Sequence, residues 1–123
     1  MVAYQDKTVS VFAARDQRPT NLGHMLVVTC DHYRNLYDLP ATLYGAVLAT
    51  LRRTAEAVQQ AFAATGTTIA QNNESPGQDV FHFHLHVMPR FPTDNNLAAR
   101  SHVVDLADRI AQAQAVGTIL GSR

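Results

Sequence analysis

The segment Val80-Phe81-His82-Phe83-His84-Leu85-His86-Val87-Met88 alternates histidine with apolar residues through its centre. Side chains of a β-strand alternate between its two faces, so this pattern predicts a strand with one imidazole face and one apolar face. Pro89 and Pro92 follow and are expected to end the strand, because proline cannot donate a ladder hydrogen bond. The apolar face predicts burial in a core, which leaves the histidines together on the opposite face.

The flanking segments predict further strands. Thr8–Ala14 and His24–Thr29 are rich in apolar and β-branched residues, and Arg15–Gly23 between them contains the Asp, Pro, Asn and Gly expected of a turn. Thr67–Asn72 is expected to form another strand, and Asn73–Asp79 to form the loop that leads from it to the histidines.

Two helices are predicted beside these strands. Apolar residues recur mostly at every fourth position from Leu39 to Phe62, which predicts a helix of about six turns that ends at Gly66. Ser101 is the expected N-cap of a C-terminal helix whose apolar side contains Val103, Leu106, Ala107 and Ile110. The predicted fold class is therefore α+β, an antiparallel β-sheet with one long and one C-terminal helix, in a single domain over residues 1–123.

The composition restricts partners and compartment. The 123 residues are 46% hydrophobic and 16% charged, which suits one globular domain with a substantial core. Ten basic and ten acidic residues lack the basic excess that attracts a long nucleic acid or a membrane surface, and no apolar run approaches the roughly 20 residues of a membrane span. The lone Cys30 and the absence of a signal-peptide pattern predict a cytoplasmic protein.

The three alternating histidines predict a chemical site. Same-face residues of a strand are about 6.6 to 6.8 Å apart, so two rings can engage adjacent atoms of one phosphate or one metal ion. Imidazole titrates near pH 6.5, which lets one ring act as a neutral nucleophile while another donates a proton. Three neutral imidazoles are also a zinc ligand set, so a metal-dependent hydrolase that uses His82, His84 and His86 as ligands stays open.

The turn Ser75-Pro76-Gly77-Gln78 precedes the histidine strand by a few residues. Gly77 tolerates unusual dihedral angles and allows a close backbone approach, so amides of this turn are expected to face an anion placed over the histidines. A turn of this composition beside a three-histidine strand predicts a phosphate site.

The segment Gly77–Met88 resembles the signature of the histidine-triad (HIT) family, in which histidine alternates with apolar residues and two apolar residues follow. Gln71-Asn72-Asn73 lies at the spacing where family members carry a polar residue that contacts the ribose or phosphate. Gly23-His24-Met25-Leu26-Val27, followed by His32, is similar to the upstream Gly-His motif of the family. The resemblance covers nearly the whole chain.

The resemblance implies a role for each histidine. His84 would attack the α-phosphorus of a nucleotide and form a nucleotidyl-histidine that water then cleaves. The backbone carbonyl of His82 would hold the Nδ1 proton of His84 and leave Nε2 free. His86 would contact the phosphate and help to protonate the leaving group, and His82 and His24 would support this network. Such covalent catalysis divides one difficult displacement into two easier ones.

The resemblance also implies nucleotide contacts. Asp16, eight residues before His24, would bind the ribose hydroxyls, and Gln71 would contact the ribose or phosphate. The turn that holds Gly77, Gln78 and Asp79 would contact the phosphate. Relatives carry Ser or Thr at the position of Asp79, so its carboxylate is expected to bind amides of its own loop while its N–H serves the phosphate.

A nucleotide hydrolase is the predicted function, with nucleoside phosphoramidates or dinucleoside polyphosphates as small-molecule substrates and with no cofactor or metal. Hydrolysis is favoured over transfer because the transferase branch of the superfamily has Gln at the position of His86. A nucleotide-binding regulatory module with weak catalysis stays open. A homodimer is expected, since relatives of this size pair their sheets and long helices, and the predicted helix has an additional apolar stripe formed by Tyr44, Leu48 and Ala55.

Overall fold

The computed structural model describes residues 1–121, which form a five-stranded antiparallel sheet, a separate two-stranded ladder and two α-helices. The strands are β1 (Val2–Gln5), β2 (Val9–Ala13), β3 (Asp16–Gln17), β4 (Met25–Thr29), β5 (Gly66–Ala70), β6 (His84–Arg90) and β7 (His102–Val103). The helices are α1 (Tyr44–Ala61) and α2 (Leu106–Gly121). The larger sheet has the strand order β1-β2-β4-β6-β5, and β3 pairs with β7. The predicted α+β class is confirmed.

Both helices pack against one face of the larger sheet. Val27 of β4 and Val87 of β6 are fully buried on this face, in a cluster with Val58 of α1 and Val116 of α2. The next residues along each strand point the other way, and the pair Leu26↔His86 places β4 and β6 side by side there. The sheet therefore has one face in the core and one face that carries histidines without helical cover.

The histidine strand differs in its bounds from the prediction of Val80–Met88. The ladder begins only at His84 because the preceding segment is held by single hydrogen bonds, among them one from Phe83 N to Tyr33 O of 2.7 Å. The strand also continues through Pro89, which was expected to end it. The Pro89 carbonyl points to the β4 side of the strand and accepts a hydrogen bond from the side chain of Asn21, which precedes β4. The Pro89 nitrogen points to the same side, where β4 no longer pairs with β6, so the missing N–H interrupts no ladder bond.

The long helix is shorter than the predicted Leu39–Phe62 and does not end at Gly66. Its N-terminal part is replaced by two 3₁₀ turns, Leu36–Asp38 and Ala41–Leu43. At its C-terminus the left-handed residue is Ala63, with φ 52°, and Gly66 instead opens β5. The helix therefore ends before Gly66, the residue at which the sequence predicted its end.

The other differences arise from pairings between distant segments. Strand β5 ends at Ala70, so Gln71 and Asn72 lie outside the predicted strand Thr67–Asn72. Ser101 does not cap α2, because β7 intervenes and pairs with β3. Within residues 1–121 no helix has the length and apolar character to cross a bilayer.

Candidate active site

His84 lies on the uncovered sheet face at the start of β6, with its orientation set by a backbone bond. Its Nδ1 is 2.7 Å from the carbonyl oxygen of His82. A carbonyl only accepts, so Nδ1 carries the proton and Nε2 keeps its lone pair. The Nε2 atom of His82 is likewise 2.7 Å from the carbonyl oxygen of Thr29. The expected His82–His84 hydrogen bond is therefore present, and it leaves a nucleophilic nitrogen on His84.

His86 and His24 form a coupled pair next to His84. The His84 and His86 rings have centroids 5.0 Å apart, and Nδ1 of His86 is 2.9 Å from Nε2 of the buried His24. Burial first, and then the charge of His86, lower the pKa of His24 from 6.5 to about 3. Burial, followed by the charges of His84 and Arg18, lowers the pKa of His86 to about 4. Both rings are thus neutral at pH 7 in the free protein.

His32 extends the histidine array at its other end. Its ring meets that of His82 edge-on at a centroid distance of 5.3 Å, and its Nε2 donates to the carbonyl oxygen of Phe81 at 2.7 Å. His32 follows the upstream Gly-His motif, but the sequence predicts no site role for it, because its contact with His82 depends on how the chain folds back. His102 lies apart on β7 and is exposed.

Gln78 is buried and holds the loop before the histidines. Its Oε1 accepts from Asn35 Nδ2 and from the Glu74 N–H, at 3.1 and 2.7 Å, and its Nε2 donates to the carbonyl oxygens of Arg34 and Val80. Its own N–H donates to the carbonyl oxygen of Glu74. Both the side chain and the N–H of Gln78 are therefore engaged by protein, so the Gln78 N–H is not one of the free turn amides that were expected to face a phosphate.

Glu74 anchors the same loop from a left-handed backbone conformation, with φ 64°. Its carboxylate accepts two bonds from the Arg34 guanidinium, of 2.8 and 2.9 Å, and a further bond from Asn35. The same guanidinium lies 4.2 Å from the centre of the Phe81 ring. Phe81 is thus outside the core in which the strand pattern placed it. These contacts, which the sequence analysis did not identify, fix the loop against the segment after β4.

Gly77 and Gln71 contribute to this loop in different ways. A Cβ on Gly77 would lie 2.9 Å from Oδ1 of Asn72, so only glycine fits without a shift. The Gln71 and Asn73 side chains exchange two hydrogen bonds of 2.8 Å. Gln71 thus belongs to the loop that carries Gly77 rather than to the predicted strand, and its contact with a ribose or phosphate stays a prediction.

The two predicted acidic site residues are exposed. Asp79 makes no hydrogen bond within residues 1–121, so the prediction that its carboxylate binds amides of its own loop is wrong. The Glu74 and Gln78 N–H groups of this loop are already bonded to protein acceptors. Asp16 lies on β3 and forms an exposed ion pair of 3.0 Å with Arg15.

A cavity of about 570 Å³ lies between β3, β7 and α2; His102 lines it, but His24, His82, His84 and His86 do not. Its lining includes apolar Leu22, Phe62 and Val103 beside Asp105 and Asp108. A ligand of the histidine face would therefore rest on an open sheet surface rather than in this cavity.

The zinc hypothesis requires three side chains that converge on one point. In the part of the chain that the structure describes, no group of three or more His, Cys, Asp or Glu side chains is arranged to hold a metal ion. In His82 and His84 one ring nitrogen already donates to a backbone carbonyl. The arrangement present suits an attacking nitrogen and hydrogen-bond donors around an anion.

Comparison with known proteins agrees with this geometry. Residues 1–93 match the model of the HIT domain family. The chain is 30% identical over 105 residues to the protein Hit of Bacillus subtilis, covering 83% of this chain and 71% of the relative. A zinc-bound histidine triad family protein from Mycobacterium smegmatis superposes with a TM-score of 0.79 at 30% identity, over 98% of this chain and 86% of that one. A HIT-like protein from Bartonella henselae gives a TM-score of 0.82 at 27% identity, over 96% and 85%.

Two further matches are named for an activity. Adenylylsulfatase HINT3 of Arabidopsis thaliana is 29% identical over 70% of this chain and 44% of its own length. A diadenosine triphosphate hydrolase from Plasmodium falciparum has a TM-score of 0.76 at 20% identity, over 99% and 77%, a likeness that concerns the fold alone.

Proposed function

The chain belongs to the HIT domain family, and from this premise we propose that it hydrolyses small nucleotides at the α-phosphate through a nucleotidyl intermediate on His84. Nucleoside phosphoramidates and dinucleoside polyphosphates are the proposed substrates. One observation carries the proposal: the bond from His84 Nδ1 to the His82 carbonyl selects the tautomer in which Nε2, on an open face, is the nitrogen available to attack. The activities for which HINT3 and the Plasmodium hydrolase are named belong to the same reaction class.

The proposed reaction has two displacements at phosphorus. His84 Nε2 forms a bond to the α-phosphorus while the bond from phosphorus to the leaving amine or phosphate breaks, and the leaving group takes a proton from His86. Water then attacks the same phosphorus, the bond to His84 breaks, and the water proton returns to the histidine pair. Donors around the phosphoryl oxygens stabilise the charge that develops in each transition state.

The pair formed by His24 and His86 supplies that proton in a defined position. We propose that Nε2–H of His24 donates to Nδ1 of His86, which places the remaining proton of a neutral His86 on Nε2. A bound phosphate anion raises the pKa of His86 from its value of about 4 in the free protein, so the ring takes up a second proton from solvent on Nδ1, which then donates to Nε2 of a neutral His24. The resulting imidazolium gives its Nε2 proton to the leaving group and returns to the neutral state.

The remaining site residues have proposed binding roles. Asp16 would bind the ribose hydroxyls, and Gln71, Gly77 and Asp79 would lie beside the ribose or phosphate. Gln78 would act from within the loop by fixing its backbone, since its donors and acceptors are engaged by protein.

Turnover with and without chelation tests the proposal. Purified protein should hydrolyse adenosine and guanosine phosphoramidates or dinucleoside polyphosphates, and exhaustive chelation should leave the rate within about twofold, because histidines and backbone donors stabilise the charge. Because the Mycobacterium relative is zinc-bound, zinc is the metal to test in the metal-dependent alternative. Stoichiometric zinc in active protein, with inactivation by chelator that zinc reverses, would refute the mechanism. Tight nucleotide binding without turnover would favour the regulatory module.

We also propose a homodimer formed through α1 and the edge of the larger sheet. Tyr44 and Leu48 are 53% and 66% exposed on α1, and Ile69 is 41% exposed on the edge strand β5. Adjacent exposed apolar residues favour an interface. Light scattering at tens of micromolar should give a dimer, and Leu48→Glu should shift it toward monomer, because it would bury a charge. A monomeric wild-type protein would contradict this proposal, and Lys7→Gln, on an exposed turn, serves as the control.

A further inference from the structure

The histidine-bearing face of β6 continues past the histidines to Met88, which is buried there. His84, His86, Met88 and Arg90 alternate with core-facing residues, so their side chains share this face. The side chain of Arg18 reaches the same row from the segment after β3: its Nη1 is 3.6 Å from Met88 Sδ, and its Nε donates to the carbonyl oxygen of Leu97 at 3.0 Å. Arg18 therefore lies one same-face step beyond His86, on the side away from His84.

Arg18 is half-buried and has no acidic partner within residues 1–121. Arg90, two residues along the row from Met88, differs in this respect, because it forms an ion pair with the buried Asp94. A cation that is partly removed from water and lacks a carboxylate is expected to attract an anion. The guanidinium of Arg18 keeps donors for this purpose, since its protein contacts engage Nε and Nη1 only.

A rigid turn holds Arg18 in place. Asn95, Asn96 and Leu97 are successively left-handed, with φ of 51°, 51° and 63°. Asp94, 3% exposed, stabilises this turn by accepting bonds from the Asn96 N–H, from Asn21 and from Arg90. The Leu97 carbonyl is thus fixed in position, and the guanidinium bonded to it needs little reorganisation to meet a ligand.

We propose that Arg18 binds an anionic group on the leaving-group portion of the substrate, so that the preferred substrates carry a carboxylate, phosphate or sulfate beyond the bond that breaks. This inference rests on the proposed function, in which His84 attacks and His86 faces the leaving group. The order His84, His86, Met88 along the strand then places Arg18 on the leaving-group side of the phosphorus. The positive charge of Arg18 also contributes to the lowered pKa of both His86 and His24, consistent with a location close to the two rings.

Paired substrates test this assignment. Adenosine phosphoramidates of propylamine and of β-alanine differ by a carboxylate in the leaving group. Arg18→Gln should lower kcat/KM for the β-alanine substrate about tenfold or more, as expected for the loss of a charge-assisted hydrogen bond, and should change the propylamine substrate less than threefold. Arg18→Lys should restore part of the difference. Lys7→Gln removes an exposed positive charge elsewhere and should affect neither substrate.

A binding measurement separates this inference from the proposed function. Calorimetry with AMP and ADP requires no turnover, and the ADP β-phosphate lies where a leaving group would lie. Arg18→Gln should weaken ADP binding about tenfold and AMP binding much less. The assignment would be overturned if Arg18→Gln lowered kcat/KM equally for the propylamine and β-alanine substrates, or weakened AMP and ADP binding equally. It would also be overturned if the wild-type protein bound neither nucleotide. Absent hydrolysis with a retained effect on ADP would reject the proposed reaction and keep the anion site.

Discussion

Replacing His84 with alanine is expected to reduce nucleotide hydrolysis by three or more orders of magnitude, because the variant has no nitrogen to form the covalent intermediate. The fold should persist. The side chain lies on the face without helical cover, and the core side of the strand is held by Leu85 and Val87. The measurement is single-turnover kinetics with an adenosine phosphoramidate, together with thermal unfolding of the same preparation.

His102→Ala is the matched control for that experiment. The same side chain is removed from β7, where it is exposed and outside the histidine row. Its activity should stay within about twofold of wild type. If His84→Ala keeps more than a tenth of wild-type turnover, His84 is not the nucleophile. Mass spectrometry of acid-sensitive adducts in wild-type protein, mapped to the peptide that contains His84, gives an independent test.

Acidification is expected to destabilise the protein by about 2 to 4 kcal/mol between pH 7 and pH 4.5. The pKa values of His24 and His86 are lowered to about 3 and about 4 in the folded protein, against 6.5 in the unfolded chain. Below pH 6.5 the unfolded chain binds protons that these two rings do not bind, so stability is complete above that pH and is lost as the pH falls toward 4. Two rings at about 1.4 kcal/mol per pH unit each would give about 5 kcal/mol over the two units below pH 6.5, and solvent screening of the partly exposed His86 reduces the expected loss to about 2 to 4 kcal/mol.

Urea unfolding at both pH values measures this effect, and a variant assigns it. His24→Gln keeps an amide that can donate to His86 but removes one of the two rings, so the loss of stability between pH 7 and pH 4.5 should become smaller by at least 1 kcal/mol (about 0.7 pKa unit). His102→Gln, at an exposed position, should behave as wild type. A wild-type free energy of unfolding that is flat with pH would show that the pair is not held neutral by burial.

Local pattern predicted the elements that carry the site, with errors at their ends. The two strands β2 and β4 fall within the predicted Thr8–Ala14 and His24–Thr29, because alternation of apolar residues reflects the faces of a sheet. The histidine strand begins four residues later than predicted and runs through Pro89. Its bounds depend on which neighbouring strand is present at each position, and alternation within one segment does not contain that information.

The roles within the phosphate loop were harder to predict than its location. Gly77 and Gln78 were both expected to face the ligand, but the Gln78 side chain is buried and makes four hydrogen bonds to other protein groups. Of the two partners of its Oε1, Glu74 is near in the chain, but Asn35 is 43 residues from Gln78 and 39 residues from Glu74. A glutamine in a turn has the same local sequence whether it points inward or outward, so only its partners decide the direction.

The sequence by itself predicted the fold class, because a strand imposes alternation on its side chains. The resemblance of the histidine segment to the HIT signature implied the family and the attacking atom, and the bond between His82 and His84, residues two apart, agrees with that implication. The tertiary structure alone decided the electrostatics around that atom. His24 meets His86 and Arg18 meets Met88 across separations of 62 and 70 residues. Burial and the proximity of charges control pKa and anion binding, and both quantities depend on distances in space that no local pattern encodes.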